Sequence, residues 1–260
     1  MTGTVCLAGR MARMEVRFAG SGDAFGTGGR FQTCIWLQAG QFTVLADCGA
    51  TSLTALKAQR LDPGQVDAVL ISHLHADHCL DMCSYQVLRT YHPEGPLAPI
   101  PVYAPAGAAD RLDRAAGVDS GHPVSDAFSF VTLSPGKIEI GPFEITADHM
   151  NHPVETFGIR LEHDGRAIAY SADTGPTDRL TGLAAGADTL LCEASFTDAP
   201  DLPPDLHLTA RQAAEHATRA GVGALVLTHL VPWNDRDVTR AEAEASFTGS
   251  LSLAVAGQIL

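Results

Sequence analysis

Basic charge is what this sequence has least of for its size. Of 260 residues, 17 are Lys or Arg against 30 Asp or Glu, a formal net charge of −13. The arginines stand singly or in loose pairs such as Arg111/Arg114, so no clustered cationic face offers itself to a phosphate backbone. Stable nucleic-acid binding is therefore not expected, and any anionic substrate needs a local attractor. Long apolar runs are missing too: no stretch approaches the ~20 residues that cross a bilayer, and residues 1–13 lack the apolar core of a secretion signal. Those residues are expected to be a weakly ordered N-terminal extension ahead of a single domain over 14–260. The six cysteines (Cys6, Cys34, Cys48, Cys79, Cys83, Cys192) contain no CxxC pair and are too sparse for a disulfide scaffold, which points to a reducing, cytoplasmic setting. Low-complexity tracts, short repeats and Ser/Gly linkers are also absent, so the chain reads as one unit.

What remains is a globular balance, 45% apolar and 18% charged, long enough to bury a sizeable core. Short apolar or alternating runs predict strands at 15–19, 34–38, 42–46, 68–71, 128–133, 143–147, 157–161, 167–170, 189–192 and 224–228. Helical spacing appears at 51–59, 80–89, 106–116, 177–183 and 209–220, the last with a Thr209/Gln212 capping box and a Gly221 stop. Strand-rich stretches broken by single helices in both halves predict two sheets with helices outside. The proline-rich stretch 91–105 reads as a surface loop rimming a site.

Histidine carries the functional signal. Three of eleven fall in His73-Leu74-His75-Ala76-Asp77-His78, directly after a predicted strand, the sheet edge where α/β proteins place ligands. His73 and His75 can converge on one ion from an extended loop, while Asp77 and His78, at a helix start, can face a second. A polar loop would explain one histidine; three with an aspartate at this spacing favour metal. His152, Asp173 and His229 each follow a later predicted strand. Taken singly, each reads as a loop or core residue; together they complete a donor set. His149 rivals His152, and the residues themselves do not decide between them. Cys79, Cys83 and Trp36 read as core, Trp233 as a wall near His229, and Asp110, Asp113 and the C-terminal acidic residues as solvated faces.

His-x-His-x-Asp-His after a strand, a later His, then Ser171-Ala172-Asp173-Thr174 and Thr228-His229 together resemble the ligand series of the metallo-β-lactamase fold. Gly20-Ser21-Gly22-Asp23-Ala24 and Leu45-Ala46-Asp47-Cys48-Gly49 look like its glycine-rich first turn and structural Asp. The resemblance implies an α/β four-layer αββα sandwich holding two divalent cations, zinc by default with manganese or iron as alternatives. One cation would take His73, His75 and His152, the other Asp77, His78 and His229, with Asp173 bridging at the ~3.5–4 Å separation of two-metal sites. Lactamases with a Cys ligand do not fit, nor do flavodiiron oxygen reducers, which carry Glu where this chain has His75. Within the fold the sequence is most similar to the ribonuclease Z and arylsulfatase-like phosphodiesterase branch. Its His-Glu-Ala-Thr and His-Ser-Thr motifs meet Cys192-Glu193-Ala194-Ser195 and His207-Leu208-Thr209 here, so the first His and the Ser have been replaced.

By that resemblance Glu193 holds His207 as a proton donor, Asp77 orients or deprotonates the nucleophile, a metal-bridging hydroxide attacks phosphorus, and a homodimer is implied. His152 and Asp173 are only 21 positions apart. A hairpin fills that gap, where short-form ribonuclease Z enzymes insert a tRNA-gripping arm. The expected function is hydrolysis of small phosphodiesters. Lactone, ester or sulfate-ester hydrolysis is the alternative, and tRNA 3′ processing or a non-enzymatic metal-binding role stands further behind.

Overall fold

The computed structural model describes residues 13–26, 29–117 and 124–260, so the expected extension falls, but for Arg13, outside the described residues. The first half of the chain forms a six-stranded sheet whose spatial order equals its chain order: β1 (Glu15–Gly20), β2 (Cys34–Ala39), β3 (Phe42–Ala46), β4 (Ala68–Leu70), β5 (Ile100–Ala104) and β6 (Phe128–Thr132). The second half repeats the scheme with β7 (Gly136–Ile140), β8 (Phe143–His149), β9 (Phe157–His163), β10 (Arg166–Tyr170), β11 (Thr189–Glu193), β12 (Ala224–Thr228) and β13 (Ser250–Leu253). Each sheet starts antiparallel and turns parallel, at β3–β4 in the first and at β10–β11 in the second.

Period-two side-chain alternation explains how the sheets stack. Ile35, Leu37, Val44 and Ala46 point inward against Ile145, Ile159, Leu161 and Ile168 of the other sheet. Their chain neighbours Trp36 and Leu45 point outward to α1 (Ser52–Ala58), α3 (Met82–Thr90) and α4 (Ala108–Ala116), where Leu56, Tyr85 and Leu112 are buried. On the far side, Leu190, Cys192, Leu225 and Leu227 pack on α5 (Asp178–Leu183) and α6 (Ala210–Ala220). Strands covered on both faces read as continuous apolar runs, as β12 does. The result is the expected αββα sandwich. Among the described residues no helix is long and apolar enough to cross a membrane. The described cysteines are free thiols. Burial pushes Cys34 up to about 12 and Cys192 higher still, consistent with structural rather than reactive roles.

Several local expectations hold in detail. Thr209 Oγ1 accepts from Gln212 N at 3.2 Å, Gln212 Oε1 accepts from Thr209 N at 2.9 Å, and Gly221 ends α6 at φ 66°. The β9–β10 hairpin fills the interval between His152 and Asp173, turning through Asp164 (φ 48°) and Gly165 (φ 74°), the twist-matched pair for a two-residue loop. Three strands and two helices are additional, one of the helices a single turn, α2 (Ala76–Cys79). β5 lies inside the stretch read as a rim loop, so that reading holds only for its first part. Its Ile100, Val102 and Ala104 are buried alternately between β4 and β6, a pattern the surrounding prolines disguise. β7 is an edge strand with exposed Lys137 and Glu139, and β13 is short and polar, so neither shows an apolar run. The C-terminal acidic stretch forms α7 (Arg236–Glu244), capped by Asp235, and buries Thr239 and Ala243.

Candidate metal centre

Functional side chains gather at one edge of the two sheets, after β4 in the first and after β8, β10 and β12 in the second. His73 and His75 follow β4, and the single-turn helix α2 (Ala76–Cys79) carries Asp77 and His78. His152 follows β8, Asp173 follows β10 and His229 follows β12. The turn into α2 runs so close to the chain after β3 that a Cβ on Gly49 would stand 1.9 Å from the Asp77 carbonyl oxygen, so only glycine fits there. Three non-glycine residues at the centre hold left-handed backbone, Asp47 (φ 63°), Ala172 (φ 52°) and His229 (φ 55°), the kind of strain that clusters at functional sites.

The seven expected donors fall into two groups sharing one edge. His73, His75, His152 and Asp173 bring ligand atoms within 4.8 Å of one another, as do Asp77, His78 and His229. Within the first group, His75 Nδ1 lies 3.0 Å from His73 Nε2 and 3.2 Å from His152 Nε2. In the second, His229 Nε2 lies 3.1 Å from Asp77 Oδ2 and 3.3 Å from His78 Nε2. Ligands about 2.1 Å from a tetrahedral ion stand ~3.4 Å apart, so these spacings suit a shared cation. Asp173 spans both groups: Oδ2 is 3.7 Å from His73 Nε2, and Oδ1 is 3.3 Å from His78 Nε2 and 3.6 Å from His229 Nε2. Yet Asp173 Oδ1, fully buried, completes no aligned hydrogen bond. A buried carboxylate oxygen without a donor is costly; cations among these residues would satisfy it, and the donor set fits two.

The outer partners fix which ring nitrogens face inward. His78 Nδ1 is 2.8 Å from Asp47 Oδ2, His152 Nδ1 2.9 Å from the Leu206 carbonyl, and His229 Nδ1 2.8 Å from Ser195 Oγ. Each Nδ1 is thus engaged, leaving Nε2 for the centre, a pattern that orients metal-binding imidazoles. Asp47 also accepts from Ser72 N at 2.7 Å, Ser72 Oγ at 2.9 Å and the Tyr170 hydroxyl at 2.8 Å. Ser72, Tyr170 and Ser195 are functional partners that the histidine pattern gives no reason to single out. The motif Cys192-Glu193-Ala194-Ser195 contains the only hint, in its last residue.

The electrostatics divide the imidazoles. Burial lowers His73, His75 and His152, keeping them neutral with a lone pair to offer. Burial opposes charge on His78 and His229 as well, but Asp173 with Asp47 overrides it at the first, and Asp173 with Asp77 lifts the second to about 9. Burial likewise resists ionisation of Asp173, but His229 and His78 hold it well below the usual carboxylate range.

Glu193 and His207 stand beside the donors. Glu193 is fully buried and accepts from Thr174 N at 2.8 Å and Ser195 N at 3.2 Å, while its Oε1 is 2.8 Å from His207 Nδ1. The His207 ring lies 5.7 Å from that of His152 and 5.5 Å from that of His229. Burial depresses His207, but the Glu193 carboxylate outweighs it and raises the pKa above the ordinary 6.5. His149, the rival to His152, is not in either group; its ring stacks on Phe157 at 4.7 Å. Trp233 and Phe25 meet edge to face at 4.5 Å, 67% and 59% exposed. The Trp233 loop is tied to the centre through Asn234 Nδ2 on the carbonyl of Ser195 (2.9 Å), the residue that holds His229 Nδ1.

Residues 43–230 match the family described as the beta-lactamase superfamily domain. An uncharacterized protein of Mycobacterium leprae (strain TN) is 40% identical over 83% of this chain and 76% of its own. Ribonuclease Z of Mycolicibacterium gilvum (strain PYR-GCK) is 32% identical over 84% of this chain and 85% of its own. The metallo-beta-lactamase fold protein YhfI from Bacillus subtilis superposes with a TM-score of 0.83 at 26% identity, covering 95% of this chain and 99% of that one.

Proposed function

The chain belongs to the beta-lactamase superfamily, a family of metal-dependent hydrolases, and from that footing we propose that it is a dinuclear hydrolase of small phosphodiesters. The observation that carries the reading is Asp173, shared by two donor groups with the Glu193-held His207 against them. His73, His75 and His152 would hold one cation, Asp77, His78 and His229 the other, and Asp173 both; five imidazoles suit zinc. Two such cations, when bound, supply Lewis-acid charge and lower the pKa of a coordinated water. Their charge exceeds that of Asp77 and Asp173, giving an acidic protein a local attractor for an anion. Asp77 would orient the nucleophile or take its proton, through the carboxylate oxygen that does not face His229. His207, with Nδ1 on Glu193, has Nε2 to protonate the departing oxygen. A relative that is a ribonuclease supports phosphodiester chemistry over carboxylic ester chemistry.

Small substrates are favoured over folded RNA because the β9–β10 hairpin leaves no insert to grip tRNA and the net charge is −13. On metal-replete protein, cyclic nucleotides and aryl phosphodiesters are expected to be cleaved in preference to precursor tRNA, with a shallow salt dependence of RNA binding. A panel that includes an acyl-homoserine lactone and a sulfate ester checks this. Faster lactone or sulfate-ester turnover, or 3′ maturation of precursor tRNA with a steep salt slope, overturns the reading. Trp233 and Phe25 offer a face on which a base or aryl group can stack, worth ~1–3 kcal/mol per ring. Trp233→Ala should accordingly raise KM for nucleotide and aryl diesters about tenfold or more, and change it little for a dialkyl diester.

A further inference from the structure

On the His75 side of the centre lies a cavity of about 320 Å³ whose wall includes His75 itself, Val154 and Glu155 from the loop after His152, and Arg111 of α4. In a chain so poor in cations, most arginines with assigned partners are spoken for: Arg17, Arg160, Arg179, Arg211 and Arg219 each hold a carboxylate. Arg111 is exposed and makes no ion pair among the described residues. Its guanidinium is within hydrogen-bonding reach of the Cys79 thiol, a weak and uncharged partner. A guanidinium with no carboxylate partner among the described residues and a candidate metal-ligand histidine thus line one space, the arrangement that would hold an anion a short way from the reacting bond. The planar fork of arginine matches phosphate and carboxylate oxygens alike.

We propose that this cavity receives a second anionic group of the substrate, phosphate or carboxylate, carried on the diester whose scissile bond lies at the donor cluster, with Arg111 as the specificity-determining residue. The proposal rests on the phosphodiesterase reading. Glu155 sets a limit to it: its carboxylate lines the same cavity, and its Oε2 accepts from Ala106 N at 3.3 Å. Glutamine at that position keeps an acceptor and removes the opposing charge.

The test compares three esters on metal-loaded protein: thymidine 5′-(p-nitrophenyl phosphate), its 3′-phosphate and its 3′-O-carboxymethyl derivative. The unmodified chain should show a KM about tenfold lower for at least one charged ester, the phosphate and carboxylate arms deciding which anion fits. In Arg111→Gln that preference should fall to near one, and in Glu155→Gln it should widen. Calorimetric binding of thymidine 3′,5′-bisphosphate against thymidine 5′-phosphate reads the same preference without turnover. No preference in the unmodified chain overturns the proposal. So does an equal loss by Arg111→Gln on all three esters, which would place its effect on His75. If the parent ester is not cleaved but the bisphosphate still binds tighter through Arg111, the anion site stands and the phosphodiesterase reading falls.

Discussion

Asp173→Ala should cut diester turnover by at least 10³-fold and leave the purified protein with well under two divalent ions per chain, where the unmodified chain should hold two. The effect is large because one side chain serves both donor groups: Oδ2 faces His73, and Oδ1 faces His78 and His229. Without it the first group keeps three imidazoles and no negative charge, and the second keeps Asp77 as its sole carboxylate. Changing even a residue that only orients a metal ligand costs 10–100-fold in affinity; a shared ligand costs more at both positions. Two-metal hydrolysis also depends on the separation of the ions, which a shared carboxylate sets. Folding should not be the cause of the loss, since the substitution removes a buried charge that completes no aligned hydrogen bond through Oδ1. Elemental analysis after gel filtration, with a thermal melt of the metal-free forms, checks both halves. An unmodified chain that holds one ion or none, or an Asp173→Ala protein that still holds two, ends the dinuclear assignment.

Much of this centre was legible because ligand chemistry is local. His73, His75, Asp77 and His78 occupy six consecutive positions, and strand periodicity alone places that run at a sheet edge. His152, Asp173 and His229 were legible for a related reason: each follows a strand (β8, β10, β12), and these three alternate strands run the same way in one sheet, so their ends share one edge whatever their separation in the chain. Choosing His152 over His149 is different. His149 ends β8 and His152 follows it by three residues, and only the three-dimensional structure separates them: His152 turns Nε2 to His75, while His149 stacks on Phe157. The residues that orient the donors were harder still. Tyr170 reaches Asp47 across 123 positions of chain, and a tyrosine ending a buried strand looks like any core aromatic until the second sheet is laid on the first.

The fold shows the same division. Strands with both faces covered, such as β3 and β12, announce themselves by composition, whereas β5 is hidden by flanking prolines and β7 by the charges of an edge. β13 adds to the parallel side of its sheet through register with β12, a long-range choice that four residues of modest hydrophobicity do not reveal. α7 is missed for a physical reason as well: its buried face is only Thr239 and Ala243, so its acidic exposed face dominates the local pattern.

His207→Ala should lower turnover of a diester with an alkyl or nucleoside leaving group by ~10²–10⁴-fold, the span of general-acid catalysis. The loss on an activated p-nitrophenyl ester should be far smaller, because that group departs as a stable anion and needs no proton. The geometry behind this is the Glu193–His207 pair. Glu193 is fixed by two backbone N–H groups and holds His207 Nδ1 at 2.8 Å, so the ring is oriented and its protonated form stabilised. Burial pulls the His207 pKa down, and the Glu193 carboxylate more than restores it. The sign follows: a raised pKa keeps the acid form populated at and above pH 6.5, and activity on the poor leaving group should fall only as pH rises through the raised His207 pKa, on the alkaline side of 6.5. In His207→Ala this alkaline limb should vanish from the profile of the alkyl diester. Glu193→Gln tests the positioning role: it keeps an acceptor for one of the two backbone N–H groups and weakens the hold on a protonated ring, so the limb should shift to lower pH rather than disappear. Metal content measured on both variants separates a lost proton donor from a disturbed neighbour, since the His207 ring lies 5.5 Å from that of His229. Equal losses on the two classes of leaving group, with two ions retained, would remove His207 from the proton-donor role and leave Asp77 or a water to supply that proton.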